Sequence, residues 1–138
     1  MRHGRILGLD FGTKNIGLAT SDEMGCTVHP LPSIPNRNRR DLLMKLKAVV
    51  REHAVASIVI GLPLNMDGSS GKAVERVRRF AGILVRELAL PLYEADERLS
   101  TVEAAGMWRE MKVRQQRKYR SVDSLAAALI LERFLTEA

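Results

Sequence analysis

An aspartate at the end of an apolar strand is the feature that most constrains this chain. Asp10 closes the run Ile6-Leu7-Gly8-Leu9, and a glycine-containing turn at 12–15 leads into a second apolar run at 16–19. A carboxylate at the end of a buried strand costs free energy unless it finds a partner. Glycines remove side chains where the backbone of a ligand comes close. We therefore expect Asp10 to lie in a site for a hard metal cation and a phosphate.

Length and composition predict one folded domain over residues 1–138. Domains most often run to about 100–150 residues, and no internal repeat or long linker divides this chain. Hydrophobic residues make up 46% of the sequence, which excludes an intrinsically disordered chain. Aromatic residues contribute only 4%, so we expect a core of Leu, Ile, Val and Ala.

The net charge of +6 and the pI of about 10.0 indicate an anionic partner, of which nucleic acid is the commonest. The alternative is a basic protein without such a partner. The single cysteine, Cys26, excludes a disulfide framework and a cysteine-based zinc site. We find no signal peptide and no run of about 18 apolar residues, so we expect a cytoplasmic protein that does not bind membranes.

The hydrophobic pattern predicts an α/β fold. Strands are expected at 5–10, 16–21, 27–34, 57–61 and 91–95, and helices at 41–54, 72–89, 100–111 and 121–135. Pro30 and Pro32 each remove a donor from the third strand, which should therefore lie at a sheet edge. An antiparallel meander followed by alternating strands and helices predicts a mixed sheet with helices on both faces.

Ligands on such sheets gather outside the carboxyl ends of the strands, where Asp10, Leu62 and Asp96 are expected. Glu97 follows Asp96 directly and is a second candidate ligand, although a surface salt bridge worth at most about 1 kcal/mol is the alternative. Glu103 is more simply the partner of Ser100 in a helix capping box.

Asp123 is the third candidate acid and lies in the first turn of the last predicted helix. Its neighbours at i+3, i+4 and i+7 are Ala126, Ala127 and Ile130, which are small or apolar, so Asp123 is expected to point toward the sheet. The alternative is a carboxylate that only interacts with the helix dipole, worth about 0.3–1 kcal/mol. The inward position favours a functional role.

Basic and polar residues supply the candidate contacts to a nucleic acid. The loop at 61–71 precedes a helix and either holds a phosphate on free N–H groups or forms a plain turn. Five basic residues occur within 112–120, together with Tyr119. This stretch either holds a phosphate backbone or forms a solvated loop. The candidate contacts are Lys14, Asn65, Ser69, Arg98, Arg114, Arg117, Lys118 and Arg120.

Four segments together, in order and spacing, closely resemble the YqgF (RuvX) family, the pre-16S rRNA nuclease or Holliday-junction-resolvase-like family. These segments are Leu9-Asp10-Phe11-Gly12-Thr13-Lys14 with Ile16-Gly17, Val59-Ile60-Gly61-Leu62-Pro63-Leu64-Asn65-Met66-Asp67-Gly68, Asp96-Glu97-Arg98-Leu99-Ser100-Thr101-Val102-Glu103-Ala104, and Val122-Asp123-Ser124-Leu125-Ala126-Ala127. The resemblance covers nearly the whole chain.

The resemblance implies an RNase H-like fold with a five-stranded mixed sheet, and a role in trimming the 5′ end of pre-16S rRNA in the bacterial cytoplasm. It also implies that Asp10, Glu97 and Asp123 are catalytic and bind metal, with Asp96 able to replace Glu97. Hard divalent ions such as Mg²⁺ or Mn²⁺ prefer carboxylate oxygens, and two such ions suit phosphodiester hydrolysis. Pre-rRNA is favoured over four-way DNA as the partner, and a monomer or weak homodimer is expected.

Three other functions compete with this prediction. The first is a junction resolvase, but RuvC resolvases carry a further acid where this chain has Ala126, and their middle acid follows an earlier strand, where Leu62-Pro63 stands here. The second is a phosphotransferase of the actin-like class, which needs two such domains to enclose a nucleotide. The third is a non-catalytic RNA-binding module for ribosome assembly.

Overall fold

The structure is a computed structural model that describes residues 4–97 and 100–137, with only the backbone of Thr101. Within these residues the strands are β1 (Arg5–Phe11), β2 (Asn15–Ser21), β3 (Val28–Pro35), β4 (Val55–Leu62) and β5 (Leu92–Asp96). The helices are α1 (Arg39–Glu52), α2 (Lys72–Leu88), α3 (Ser100–Glu110), α4 (Val113–Tyr119) and α5 (Val122–Thr136). None of these helices is long and apolar enough to cross a membrane.

The five strands form one mixed sheet in the order β3-β2-β1-β4-β5. The β1–β2 and β2–β3 pairs are antiparallel, whereas β4 runs parallel to both β1 and β5. The predicted mixed sheet and the edge position of the proline-containing third strand are therefore confirmed. Because β1, β4 and β5 are mutually parallel, their carboxyl ends meet at one edge of the sheet.

Helices cover both faces of the sheet, since successive strand residues point to opposite sides. Leu7 and Leu9 of β1 pack in the larger core cluster, which also contains the buried residues of α1 and α2. Ile6 faces the other side and belongs to the cluster formed with α5. Helix α3 then packs on α5, where Ala104 joins Leu125 and Ala126. The expected aliphatic core is confirmed.

Two local predictions were wrong. Helix α4 occupies the basic stretch at 112–120 and was not predicted, because this stretch has no apolar stripe at helical spacing. The side chains of Ser100 and Glu103 do not form the predicted reciprocal capping pair. Both bind the guanidinium of Arg133 from α5, so they join α3 to α5 instead.

Helix α5 approaches the sheet closely because Gly17 has no side chain. A Cβ atom at Gly17 would lie 2.0 Å from the carbonyl oxygen of Asp123. Gly17 is also the β-sheet partner of Asp10. The hydroxyl of Ser124 donates a 2.5 Å hydrogen bond to the carbonyl of Leu31, which holds the first turn of α5 against β3. The absence of a side chain at position 17 thus brings Asp123 to the end of the sheet that carries Asp10.

We predict that Gly17→Ala destabilises the protein by roughly 1–3 kcal/mol, because the added methyl group meets backbone that cannot rotate away. Gly106→Ala on α3 is the control, since nothing lies within 4 Å of its added Cβ. There the change should be neutral or should stabilise by up to about 1 kcal/mol through helix propensity. Urea unfolding of both variants checks this, and equal free energies of unfolding would contradict the close packing.

Candidate active site

The three predicted acids come from separate elements and line one pocket. Asp10 is next to last in β1, Glu97 directly follows β5, and Asp123 lies in the first turn of α5. The pocket has a volume of about 370 Å³. Its other lining residues come from the β1–β2 turn, the end of β4 and the first turns of α2: Phe11, Gly12, Thr13, Pro63, Ala73, Arg76 and Val77.

Glu97 is held against the sheet by its backbone and by a missing side chain on β4. Its N–H donates to the carbonyl of Leu62 at 3.0 Å, and its carbonyl accepts from the N–H of Ser100 at 2.9 Å. A Cβ atom at Gly61 would lie 2.8 Å from Glu97 Oε2 and 2.7 Å from Ile130 Cδ1. Gly61 therefore leaves the space that the Glu97 carboxyl occupies beside β4.

The neighbouring Asp96 does not line this pocket. Glu94, two residues earlier on β5, pairs with Arg78 of α2 at 3.0 Å. Because alternate strand residues share a face, Asp96 lies on the α2 side of β5. Its charge still acts on Glu97, whose pKa it helps to raise. The arrangement favours Glu97 over Asp96 as the acid that accompanies Asp10.

The carboxyls of Glu97 and Asp10 lie within hydrogen-bond reach of each other. Glu97 is only 4% exposed, and burial, followed by repulsion from Asp10, raises its pKa to about 9. Burial also raises the pKa of Asp10, against the opposing effect of the hydrogen bond with Glu97. The proton therefore resides on Glu97, which donates it to Asp10. Burial raises the pKa of Asp123 as well, and the charge of Asp123 adds to the rise at Asp10.

One buried oxygen of Glu97 lacks a donor. Among the described residues, Oε2 of Glu97 is the buried side-chain atom toward which no N–H or O–H group of another residue points. Leaving such an atom unsatisfied costs about 1–3 kcal/mol, and more when the group is charged. A hard divalent cation takes oxygen ligands, so the donor chemistry of Asp10, Glu97 and Asp123 fits one. Within 4–97 and 100–137, however, no three acidic, histidine or cysteine side chains already converge at ligating distances.

The predicted phosphate contacts before α2 are engaged within their own loop. The side-chain amide of Asn65 donates to Ser69 Oγ at 3.0 Å, and both the N–H and the hydroxyl of Ser69 donate to Asp67. Neither residue lines the acidic pocket. Lys14 is exposed in the β1–β2 turn, and the pocket lining includes its neighbour Thr13 rather than Lys14 itself. The geometry favours the plain-turn interpretation of the loop.

The basic residues of the 112–120 stretch do not line the pocket of the acids. Arg114, Arg117 and Lys118 are exposed on α4, and Arg120 lines a different cavity beside β3 and α1. Tyr119 packs against the α3–α5 cluster, which leaves its ring less free for a base than we expected. The remaining predicted contact, Arg98, lies outside the described residues.

Sequence reasoning missed two residues of the pocket, Thr13 and Arg76. Thr13 follows the first glycine of the turn. Arg76 lies off the apolar stripe of α2, so periodicity shows only that it faces away from the core. One signal was available. Arg76 lies about one turn into α2, the helix that follows β4, and the amino end of such a helix faces the edge of the sheet at which the strand ends.

A model of the RuvX family, described as Holliday junction resolvase, matches residues 4–137. The chain belongs to the RuvX family. A relative from Koribacter versatilis named "Putative pre-16S rRNA nuclease" is 43% identical over 133 residues, which cover 96% of this chain and 87% of the relative. A relative of the same name from Moorella thermoacetica is 44% identical over 131 residues, with 95% and 94% covered. The resemblance drawn from the four sequence segments is confirmed.

Solved structures confirm the RNase H-like fold. Thermus thermophilus RuvC in complex with Holliday junction substrate superposes with a TM-score of 0.56 at 12% identity, covering 98% of this RuvX chain and 95% of RuvC. The fowlpox virus Holliday junction resolvase gives a TM-score of 0.57 at 11% identity, with 97% and 99% covered. At these identities the likeness concerns the fold.

The raised pKa of Glu97 predicts how the stability of the metal-free protein depends on pH. Between its ordinary value of 4.5 and about 9, the unfolded chain loses this proton while the folded chain keeps it. The contribution of Glu97 to stability is therefore fully present below pH 4.5 and is lost as the pH rises toward 9. Glu97→Gln has no such proton, so its melting temperature should fall less across this window.

Thermal unfolding in EDTA from pH 5 to 9 measures this difference. For a chain of this size, each kcal/mol corresponds to roughly 2–4 °C in melting temperature. Exposed Glu132→Gln on α5 is the control and should follow the wild-type profile. Parallel profiles for wild type and Glu97→Gln would show that Glu97 ionises normally in the folded protein.

Proposed function

We propose that this RuvX protein is a divalent-metal-dependent nuclease that hydrolyses phosphodiester bonds in the processing of pre-16S rRNA in the cytoplasm. The observation that carries the proposal is the pair of hydrogen-bonded carboxyls of half-buried Asp10 and buried Glu97 in a pocket that Asp123 also lines. Such a pair has no evident structural benefit, since it leaves one buried oxygen unsatisfied. Perturbed acids in a cleft of this kind mark functional sites.

Asp10, Glu97 and Asp123 would hold Mg²⁺ or Mn²⁺ in this pocket. When bound, such ions activate the attacking water and stabilise the leaving oxygen of an in-line displacement. The chain's own part is to present ionised carboxylates, which requires that Glu97 lose the proton it shares with Asp10. Burial and the nearby acids keep this proton in place until positive charge enters the pocket. Metal binding should therefore release a proton.

Other pocket residues are suited to bind and orient the phosphodiester. Arg76 lines the pocket from α2, and a guanidinium can form charge-assisted hydrogen bonds with phosphate oxygens. Thr13, which carries a hydroxyl group, lines the pocket from the turn between β1 and β2. Pro63 and Val77 supply apolar wall that limits the access of bulk water. The pocket thus combines carboxylates that suit a cation with an arginine that suits the anionic substrate.

Pre-16S rRNA is the favoured substrate because the relatives at 43% and 44% identity are named as nucleases of this RNA. The net charge of +6 suits a nucleic acid. Junction resolution is less well supported. Ala126 stands one turn after Asp123, where RuvC resolvases carry a further acid, and here it is buried in the contact between α3 and α5.

We predict that Asp10→Asn, Glu97→Gln and Asp123→Asn each lower cleavage of a precursor rRNA 5′ end by at least about 100-fold. Loss of a metal ligand should exceed the roughly 10–100-fold effect of losing a residue that only supports a ligand. Asp41→Asn is the control, because Asp41 lies at the start of α1 and pairs with Lys45. Gel assays with Mn²⁺ measure the rates on this RNA and on four-way DNA.

Retained cleavage by Asp10→Asn would refute the assignment of the acids. Preferential cleavage of the four-way DNA would overturn the choice of pre-rRNA while leaving the nuclease assignment in place. Cleavage of neither substrate by the wild type would favour the non-catalytic RNA-binding alternative.

We also predict that Mg²⁺ or Mn²⁺ raises the melting temperature, because the ion relieves repulsion among the acids and satisfies Glu97 Oε2. Binding at 100 times the dissociation constant should stabilise the fold by about 2.7 kcal/mol. Asp10→Asn should abolish the rise and Asp41→Asn should keep it. Differential scanning calorimetry at pH 8, with and without the ion, makes the comparison. A full metal-dependent rise in Asp10→Asn would place the cation elsewhere.

A further inference from the structure

A second, basic pocket adjoins the acidic one. We call it the arginine pocket; it has a volume of about 470 Å³. Its lining residues are Phe11, Thr13, Asn36, Arg39, Arg76, Arg79, Phe80 and Ile83. Phe11, Thr13 and Arg76 line both pockets, so the two lie side by side.

The arginine pocket has the opposite charge to its neighbour. Arg39, Arg76 and Arg79 contribute to its wall, and no acidic residue does. Within residues 4–97 and 100–137, none of these three guanidiniums is paired with a carboxylate. Arg78 of the same helix, by contrast, pairs with Glu94 at 3.0 Å. Three uncompensated arginines facing one concavity attract an anion.

The arginine pocket is organised before any ligand enters. The guanidinium carbon of Arg39 lies 5.2 Å from the ring centroid of Phe80, a cation–π arrangement that restrains this long side chain. Asn36 donates its side-chain amide to the carbonyl of Gly12 at 2.9 Å and its N–H to the carbonyl of Lys14 at 2.8 Å. These bonds hold the turn that carries Thr13. A pocket built in this way loses little entropy on binding.

The side chains that line the arginine pocket suit a phosphate group better than a stacked nucleobase. Phe80 is only 1% exposed, lies beneath Arg39 and packs on Phe11 with ring centroids 4.5 Å apart, so its face is covered. Guanidiniums match phosphate oxygens in two-pronged hydrogen bonds. Phosphates follow one another along a strand at intervals of about 3.4 Å of helix axis, so a strand at the acids presents further phosphates to the adjoining pocket.

We propose that the arginine pocket binds a backbone phosphate of the substrate strand, next to the phosphate that is cut at the acidic pocket. The proposal rests on the proposed nuclease function for its substrate class. Arg39 and Arg79 hold this phosphate, and Arg76 lies between the two sites. The arginine pocket thereby sets the direction in which the strand leaves the acids.

The test is binding of a 5′-fluorescein-labelled 12-nucleotide single-stranded RNA, measured by anisotropy in EDTA at several KCl concentrations. Arg39→Gln/Arg79→Gln should bind several-fold more weakly. Its plot of log affinity against log salt should be shallower by about 0.7, the value for one phosphate contact on a single strand. Arg86→Gln/Arg109→Gln is the matched control, because it removes two exposed arginines, each in the last turn of a helix and outside the arginine pocket. Arg39→Lys/Arg79→Lys keeps the charge and should recover most of the slope.

Cleavage kinetics with Mn²⁺ separate this proposal from the nuclease assignment. Arg39→Gln/Arg79→Gln should raise KM several-fold and leave kcat close to the wild-type value. If the wild type cleaves the RNA and this variant has the same KM and salt slope as the control, the phosphate site in the arginine pocket is refuted and the nuclease function stands. If the wild type does not cleave but the slope still falls by about 0.7, the nuclease is refuted and the phosphate site stands. Melting temperatures verify that all variants are folded.

Discussion

The contact between the buried carboxyl of Glu97 and Asp10 is the interaction on which the site depends. Burial and the charge of Asp10 make an ionised Glu97 carboxylate unfavourable, so its proton is retained and the pKa of Glu97 rises to about 9. The same burial leaves Glu97 Oε2 without a donor among the residues that the structure describes. Folding has thus placed one carboxyl oxygen where the protein itself does not satisfy it. A cation that enters the pocket would replace the proton and supply the missing interaction.

Two glycines make the convergence of the three acids possible, and each acts through the side chain that it lacks. Gly17 lets the backbone of α5 rest against β2, which brings Asp123 to the pocket. Gly61 leaves the space beside β4 that the carboxyl of Glu97 fills. The sheet carries the acids at the ends of parallel strands, and close packing against α5 brings them together. The geometry of the site is therefore a consequence of how tightly one helix packs on the sheet.

The sequence predicts the parts of the site that local pattern determines. Asp10 ends an apolar run, and Asp123 lies on the inward face of a periodic helix, so both were expected at the sheet. The arginine pocket was not predicted, because helical periodicity shows that Arg79 faces away from the core but not which element it meets. Helix α4 was missed because it lacks an apolar stripe, and the capping box was wrong because Arg133, distant in sequence, binds both side chains.

The two pockets together address an electrostatic conflict that any metal-dependent nuclease meets. Acids that attract a cation repel the phosphate backbone. In the metal-free protein this repulsion is reduced, because Glu97 stays protonated at neutral pH. Arg76 belongs to both pockets. Arg39 and Arg79, which pair with no carboxylate of the described residues, line only the pocket without acids. In the proposed nuclease, a strand would be held beside the acids by its neighbouring phosphate, so its binding would not depend on the ion that cleavage would require.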